Sequence, residues 1–257
     1  EFLFAWRLSD VGGKTLARGE DRRAMDSGDI QRGRLSFDLP DVTARTRLTL
    51  RLELRSDDRQ AYAEDRDIDV WPDRLPAAPP LGRKIYLLDS TQATATVLEK
   101  AGVSFERLDT AAWPVGLDSV VVIGEHAVGS LSGLSESALS SYVEGGGRVL
   151  VLAQSRTLAG LPVRTSIEPK EWTSMPFVRT PQHPVLHGVT SWDLKFWNPD
   201  HVTARGAYSK PRTGAFITLL DSGGSKGMES VQMMECYRGN GSILLNQLPV
   251  IAKYDIE

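Results

Sequence analysis

Residues 145–155 constrain the fold of this chain more than any other stretch. Three consecutive glycines at 145–147 end a helical pattern, and an apolar run at 149–152 follows them. A helix that stops at glycines before a continuous apolar strand is typical of an α/β fold. In several such folds the turn that leaves the strand holds a catalytic nucleophile. Here residues 153–155 are Ala-Gln-Ser, with no cysteine and no Gly-x-Ser-x-Gly motif around the serine.

The region around this strand alternates apolar runs with helical patterns. The apolar runs predict strands at 84–89, 103–108, 119–124 and 149–152. Helical patterns lie between them at 91–101 and 135–143, the second with Ser135 as its N-cap. Because strands of this type bury both faces, the pattern predicts a parallel sheet covered by helices on both sides.

A parallel sheet binds ligands beyond the carboxyl ends of its strands. Those ends lie here at residues 89–91, 108–110, 124–126 and 153–155. A free-standing hydrolase could use Glu125 and His126 in acid–base chemistry, with Ser155 paired to His183 or His187 as a nucleophile. Serines after strands also cap helices and form turns. The four histidines lack the His-x-His and His-x-x-x-His spacings of metal sites, so we expect no metal.

The first 75 residues follow a two-residue period instead. Residues 47–55 place four leucines on one face and arginine, threonine and glutamate on the other, which is typical of a half-buried antiparallel strand. Shorter strand patterns at 34–40 and 67–72 are bounded by turn residues. Several short strands at this spacing predict a small immunoglobulin-like β-sandwich.

A proline-rich segment separates the region with the two-residue period from the region in which strands and helices alternate. This segment lacks core residues and favours extended backbone. We therefore predict a β-sandwich domain at 1–75, a linker at 76–82 and an α/β domain at 83–257. The α/β domain ends in strand patterns at 214–220, 230–237 and 242–248, and the glycine-rich turn at 238–241 predicts a hairpin. The chain starts within a strand pattern and stops without a polar tail, so we expect a segment of a longer polypeptide.

The charge and the apolar runs of the chain argue against two classes of binding partner, nucleic acids and membranes. The 257 residues carry a formal net charge of -3, and the arginines are interspersed with acidic residues, so no basic field is available for nucleic acid. No apolar run approaches the roughly 18 residues that a membrane-spanning helix needs. We expect neither nucleic acid nor a membrane as a partner. The single cysteine, Cys236, excludes an internal disulfide and lies in an apolar run, where we expect a core residue.

Short motifs are spread over both halves of the chain. In the first half they lie at 6–8, 12–14, 33–35, 39–40 and 69–72. This half resembles the β-sandwich domains that flank the catalytic barrel in family 2 glycoside hydrolases, the β-galactosidase and β-glucuronidase group. The second half, residues 83–256, resembles the class I glutamine amidotransferase-like fold, a flavodoxin-like doubly wound sheet. Its residues 183–188, His-Pro-Val-Leu-His-Gly, are similar to a turn in ThuA-like proteins and in the trimerisation domain of family 42 β-galactosidases.

Versions of that fold without amidotransferase chemistry occur as accessory domains in large bacterial glycosidases. The resemblance therefore implies a non-catalytic accessory region of a bacterial glycoside hydrolase, with no cofactor. Its implied partners are the rest of the parent polypeptide, a second copy of the chain and carbohydrate. The parent would be periplasmic or secreted. In family 2 enzymes both catalytic carboxylates come from a (β/α)8 barrel, for which this chain has no room.

The chain also departs from the catalytic pattern of the amidotransferase fold. A glutaminase needs a cysteine on the turn after residues 149–152, backbone N–H groups that form an oxyanion hole, and a downstream histidine paired with a carboxylate. Ala153 and Gln154 occupy the place of the cysteine, and Cys236 is too far downstream to substitute for it. We therefore expect no glutaminase activity.

Aromatic residues raise a third hypothesis, a carbohydrate-binding module. Trp192 and Trp197 can form a platform for a sugar ring, whose C–H groups pack on indole faces while its hydroxyls bond to Asn198 and Asp200. The interpretation we favour is that these aromatics pack between the sheet and a loop, or between domains. Two exposed coplanar indoles would support binding, whereas buried indoles would support packing.

Overall fold

The chain folds into two compact units, Glu1–Pro76 and Ala77–Glu257. Both are rich in β-structure. The computed structural model describes residues 2–56, 59–72, 82–109, 113, 115–130, 134–224 and 227–254. The linker predicted at 76–82 lies outside these residues except for Gly82. None of the helices within these ranges is long and apolar enough to cross a membrane.

The N-terminal unit contains one four-stranded antiparallel sheet in the order β2-β1-β3-β4. Its strands are β1 (Phe2–Ser9), β2 (Thr15–Arg23), β3 (Thr46–Ser56) and β4 (Arg59–Val70). The strand predicted at 47–55 is confirmed as the greater part of β3. The alternation predicted it because only one face of the sheet is apolar.

The two faces of this sheet differ sharply in polarity. Leu8 lies opposite Leu50 in the register of β1 and β3, and both are buried with Leu48 in the core of the unit. On the opposite face the Arg51 guanidinium donates to Glu53 at 2.6 Å and also pairs with Asp65. Burial of the leucine face therefore determines which side of the sheet faces the core.

The immunoglobulin-like β-sandwich predicted for this half is not what its described residues form, because they contain a single sheet. Residues 24–45, which include the predicted strand at 34–40, form no strand. Instead, Leu35 and Phe37 pack on the apolar face of the sheet, with the Phe37 ring 5.5 Å from that of Trp6. The apolar spacing at 34–40 therefore reflects packing of side chains onto a sheet and not backbone pairing.

The C-terminal unit is built on a ten-stranded sheet, whose main path runs β10-β12-β13-β14-β8-β7-β5-β6. Strand β11 pairs with β13 and with β9. The strands are β5 (Ile85–Leu88), β6 (Glu106–Arg107), β7 (Val120–Ile123), β8 (Arg148–Val151), β9 (Ile167–Glu168), β10 (Phe177–Val178), β11 (Ala207–Ser209), β12 (Phe216–Gly224), β13 (Gly227–Arg238) and β14 (Gly241–Asn246). The helices are α1 (Ala93–Lys100) and α2 (Glu136–Glu144).

Half of this sheet is parallel, as the sequence predicts. Strands β6, β5, β7, β8 and β14 are parallel neighbours, whereas β14, β13, β12 and β10 are antiparallel. Helix α1 packs on one face through Ala95, and α2 packs on the other through Leu139. The Ser135 hydroxyl caps α2 by accepting a hydrogen bond from the Ala138 N–H at 3.0 Å, which confirms the predicted N-cap.

The hairpin predicted near residues 238–241 is confirmed as the turn between β13 and β14. On β13, Cys236 is fully buried in the main core cluster, as expected. Burial raises the pKa of its thiol to about 12. The thiol therefore stays protonated at neutral pH and acts as a small core side chain.

The glycines at 145–147 end α2 where it meets this hairpin turn. The Asn240 N–H donates to the Glu144 carbonyl at 3.1 Å, so the hairpin turn caps the end of the helix. Gly241 has no room for a side chain, because a Cβ there would overlap the carbonyl oxygens of Val143 and Gly147. The two backbones can approach each other this closely only with glycine at position 241.

We expect Gly241→Ala to lower the free energy of unfolding by about 3 kcal/mol, since backbone atoms must move to accommodate the methyl group. Urea unfolding followed by circular dichroism measures the change. Gly129→Ala is the matched control, because a Cβ at Gly129 meets no atom within 4 Å. A loss under about 1 kcal/mol for Gly241→Ala would contradict the close approach.

Candidate functional site

A pocket of about 440 Å³ lies at the carboxyl ends of β7, β8 and β14. Segments 199–206 and 249–253 provide residues on its other sides. The strand ends line it with Glu125, His126, Ala153, Gln154, Ser155 and Gln247. Ligands of parallel sheets bind at this position, and two of these three strand ends, at 124–126 and 153–155, are predicted from the sequence.

Gln154 lies in the turn that follows β8. Its side-chain Nε2 donates to the carbonyls of Gly124 at 2.7 Å and Leu152 at 2.8 Å. Its Oε1 accepts from the Val128 N–H at 2.9 Å. The buried amide therefore joins the ends of β7 and β8, and its role here is structural.

His126 follows β7 with a backbone φ of 59°, in the left-handed region that non-glycine residues rarely adopt. Its N–H donates to the Ala153 carbonyl at 2.9 Å, which contributes to holding this conformation. The imidazole is exposed at the pocket edge. Backbone strain of this kind, of order 1–3 kcal/mol, persists only where the surroundings enforce it, and it often occurs at functional sites.

Glu125 lies on the pocket wall with only 4% of its surface exposed. Its N–H donates to the Thr94 hydroxyl at 3.0 Å, and its Oε2 accepts from the Ala252 N–H at 3.0 Å. Its Oε1 is buried and bonds to no residue of the described part of the chain. Burial raises the pKa of this carboxyl, and backbone hydrogen bonds and the nearby His126 only partly oppose that effect.

Asp200 lies on another side of the same pocket. Its carboxylate accepts from the Lys253 ammonium at 2.7 Å and the Val202 N–H at 3.1 Å, and it also pairs with Arg205. The hydrogen bond from Lys253 is the largest of several causes that lower the pKa of Asp200 to about 2. Asp200 is therefore ionised at neutral pH, and its negative charge is balanced by two cations.

Gln247 is a pocket residue that the sequence analysis missed. It follows β14 and is 4% exposed. Its amide faces the Tyr208 hydroxyl and slightly offsets the burial that raises the pKa of that phenol. Neither Gln247 Nε2 nor the Tyr208 hydroxyl completes a hydrogen bond within the described ranges. The strand predicted at 242–248 includes Gln247, so this residue becomes a strand-end residue only because β14 ends at Asn246.

The three candidate residues of a hydrolase share this pocket, but they do not form a catalytic arrangement. Within the described stretches 115–130 and 134–224, no hydrogen bond connects Ser155 to Glu125 or to a histidine. His183 instead bonds to Glu235 at 2.9 Å and caps a short 3-10 turn at Pro184–Leu186. Neither side chain of the His183–Glu235 pair lines the pocket.

The two indoles of the predicted carbohydrate platform, Trp192 and Trp197, lie in different environments. Trp192 is 72% exposed, with the Lys195 ammonium 4.2 Å from the centre of its ring. Trp197 is half-buried against the core, and its Nε1–H donates to the Asp193 carbonyl at 2.6 Å. Asn198 and Trp197 line a separate pocket of about 320 Å³, which Trp192 does not line.

The described ranges contain no group of three or more histidine, cysteine, aspartate or glutamate residues that could hold a metal ion. No family model matches the chain, and no curated protein matches it. Among solved structures, the chain is similar to the exo-β-1,4-mannosidase Op5Man5 from Opitutaceae bacterium strain TAV5, with a TM-score of 0.39 and 13% identity. The match covers 68% of this chain and 32% of the mannosidase chain. This distant structural neighbour is a glycoside hydrolase.

We expect the stability advantage of Glu125→Gln over the wild type to increase as the pH rises above 4.5. Because the raised pKa lets the folded state retain a proton that the unfolded state releases, wild-type stability falls with pH in this range. The variant lacks this penalty. Urea midpoints measured from pH 4 to pH 8 report the difference.

Glu99→Gln is the matched control, because it removes the same charge from an exposed position on α1. A change shared by both variants is an effect of net charge alone. An equal difference between Glu125→Gln and the wild type at pH 4 and pH 8 would show that the Glu125 carboxyl has no raised pKa.

Proposed function

We propose that this chain is a non-catalytic accessory region of a bacterial carbohydrate-active hydrolase, with domains at 1–75 and 83–257 joined by a linker at 76–82. Its partners would be the rest of the parent polypeptide and a second copy of the chain. The observation that carries the proposal is the set of hydrogen bonds made by the Gln154 side chain. This residue stands where the related catalytic fold needs a nucleophile, and its amide is fully engaged in joining two strand ends.

The strand order of the C-terminal unit supports the amidotransferase-like part of this proposal. Counted along the chain, the parallel strands β5, β6, β7, β8 and β14 lie in the spatial order 2-1-3-4-5. That order is the flavodoxin-like arrangement, which binds ligands at the carboxyl ends of its strands. The antiparallel strands β13 and β12 extend the sheet beyond β14.

A second candidate function is glycoside hydrolysis within the strand-end pocket. Glu125 and Asp200 line one pocket, and their pKa values are shifted in opposite directions, as those of a catalytic acid and its partner carboxylate often are. Two features favour the non-catalytic function. The Glu125 carboxyl is almost fully buried, and the Asp200 carboxylate is paired with Lys253 and Arg205.

Turnover assays separate the two functions. We expect the purified chain to hydrolyse neither p-nitrophenyl hexosides, p-nitrophenyl acetate nor L-glutamine above the buffer rate. Among the described residues Ser155 is hydrogen-bonded to no base, Glu125 is buried, and Asp200 is paired with two cations. Released p-nitrophenol and ammonia are measured for the wild type, Glu125→Gln, Asp200→Asn and Ser155→Ala. Turnover that disappears in one of these three variants would establish the hydrolase and overturn the non-catalytic function.

A further inference from the structure

An apolar groove of about 630 Å³ lies on the face of the C-terminal sheet that carries α1. Its floor consists of apolar side chains from β5, β7, β8 and the position after β8, namely Ile85, Val120, Val122, Leu150 and Leu152. Leu98 of α1 and Val250 also line it. Val250 is 37% exposed, so the groove is open to solvent.

The path of the chain explains why this part of the sheet is open. The connection from β5 to β6 contains α1, whereas the connections from β6 to β7 and from β7 to β8 run across the sheet in the other direction. Because crossovers between parallel strands are right-handed, these two connections lie on the opposite face, where Trp113 and Leu139 pack in the main core cluster. Within the described residues, α1 is therefore the only α-helix on the groove face. Parallel strands are normally covered on both faces.

The shape of the groove fits one α-helix. Its floor is the face of a sheet, so a segment lying on it must satisfy its own backbone hydrogen bonds, as a helix does. The three neighbouring strands β5, β7 and β8 span two strand spacings, about 10 Å, and a helix with its side chains is about 10–12 Å wide. Each strand has four residues and is about 13 Å long, which corresponds to about nine residues of helix.

Arg83 determines the charge that suits this groove. It is the only charged residue of the lining, and its side chain is exposed. In the part of the chain that the structure describes, its guanidinium makes no hydrogen bond or ion pair. A helix with an apolar face and a carboxylate beside that face is therefore complementary to the groove.

A second copy of the chain fits the groove less well. The two α-helices of the described residues, α1 and α2, pack their apolar sides on their own sheet through Ala95 and Leu139. Two concave grooves do not fill each other. The covering helix therefore has to come from a different segment.

We propose that an acidic amphipathic α-helix of the parent polypeptide binds this groove and covers β5, β7 and β8. The proposal deepens the proposed function, on which it rests, because it gives the contact through which the accessory region holds the rest of the polypeptide. The groove shares no lining residue with the strand-end pocket.

Fluorescence anisotropy of a labelled peptide, titrated with the full chain, tests the proposal. The peptide has about 18 residues, long enough to form a helix, with leucines at helical spacing on one face and glutamates beside them. The control peptide has the same composition, with its leucines distributed around the helix. We expect saturable binding of the first peptide only.

Two variants locate the binding site. Val250→Glu places a charge against the apolar face and should weaken binding at least about tenfold. Ile217→Glu is the matched control, because Ile217 is 39% exposed, does not line the groove and should leave binding unchanged. Arg83→Gln should weaken binding about threefold at low ionic strength, and high salt should remove this difference.

Circular dichroism and the urea midpoint verify that each variant folds, and Arg83→Gln decides the matter if Val250→Glu does not fold. The proposal is overturned if the two peptides bind equally, if the first does not bind, or if Val250→Glu or Arg83→Gln binds it like the wild type. Laurate binding without peptide binding would assign the groove to an acyl chain, and self-association abolished by Val250→Glu would assign it to a second copy. Either result overturns the helix.

The proposed function and the helix site can fail separately. Turnover in the hydrolysis assays would refute only the non-catalytic function. Absence of both turnover and peptide binding would refute only the helix site.

Discussion

The side-chain amide of Gln154 makes the contact on which the strand-end pocket depends. It holds the carboxyl ends of β7 and β8 together through three hydrogen bonds to backbone groups. The backbone of His126 is held beside it in a left-handed conformation. Because the turn after β8 is locked in this way, the Gln154 side chain stabilises the wall of the pocket.

Two carboxylates of this pocket show how surroundings determine chemistry. Glu125 and Asp200 are both acidic, yet burial raises the pKa of the first and hydrogen bonds from Lys253 and Val202 lower that of the second. Glu125 lies almost out of contact with water, and Asp200 is held by cations. Within the described residues, the carboxylate of Asp200 is thus neutralised by cations and that of Glu125 is shielded from water, which does not suit either for attack on a bond.

Much of the fold could be predicted, because burial of one or both faces of a strand sets how apolar residues are spaced along the sequence. The leucines of β3 alternate since one face of its sheet is buried, and the continuous apolar runs of β7 and β8 reflect burial on both faces. The strand predicted at 34–40 is wrong, because Leu35 and Phe37 pack onto a sheet without pairing in it. An apolar spacing shows that side chains are buried, but it does not show what their backbone bonds to.

The sequence by itself determined both helices and most strands of the C-terminal unit, two of the three strand ends that line the pocket, and the absence of a cysteine after β8. Only the tertiary structure decided which polar residues at those ends are engaged and which are unsatisfied. The partners are far apart in the chain: Gln154 bonds to Gly124, and Glu125 bonds to the backbone of Ala252. Burial and pairing of this kind arise only when distant segments meet, so no local pattern could have shown them.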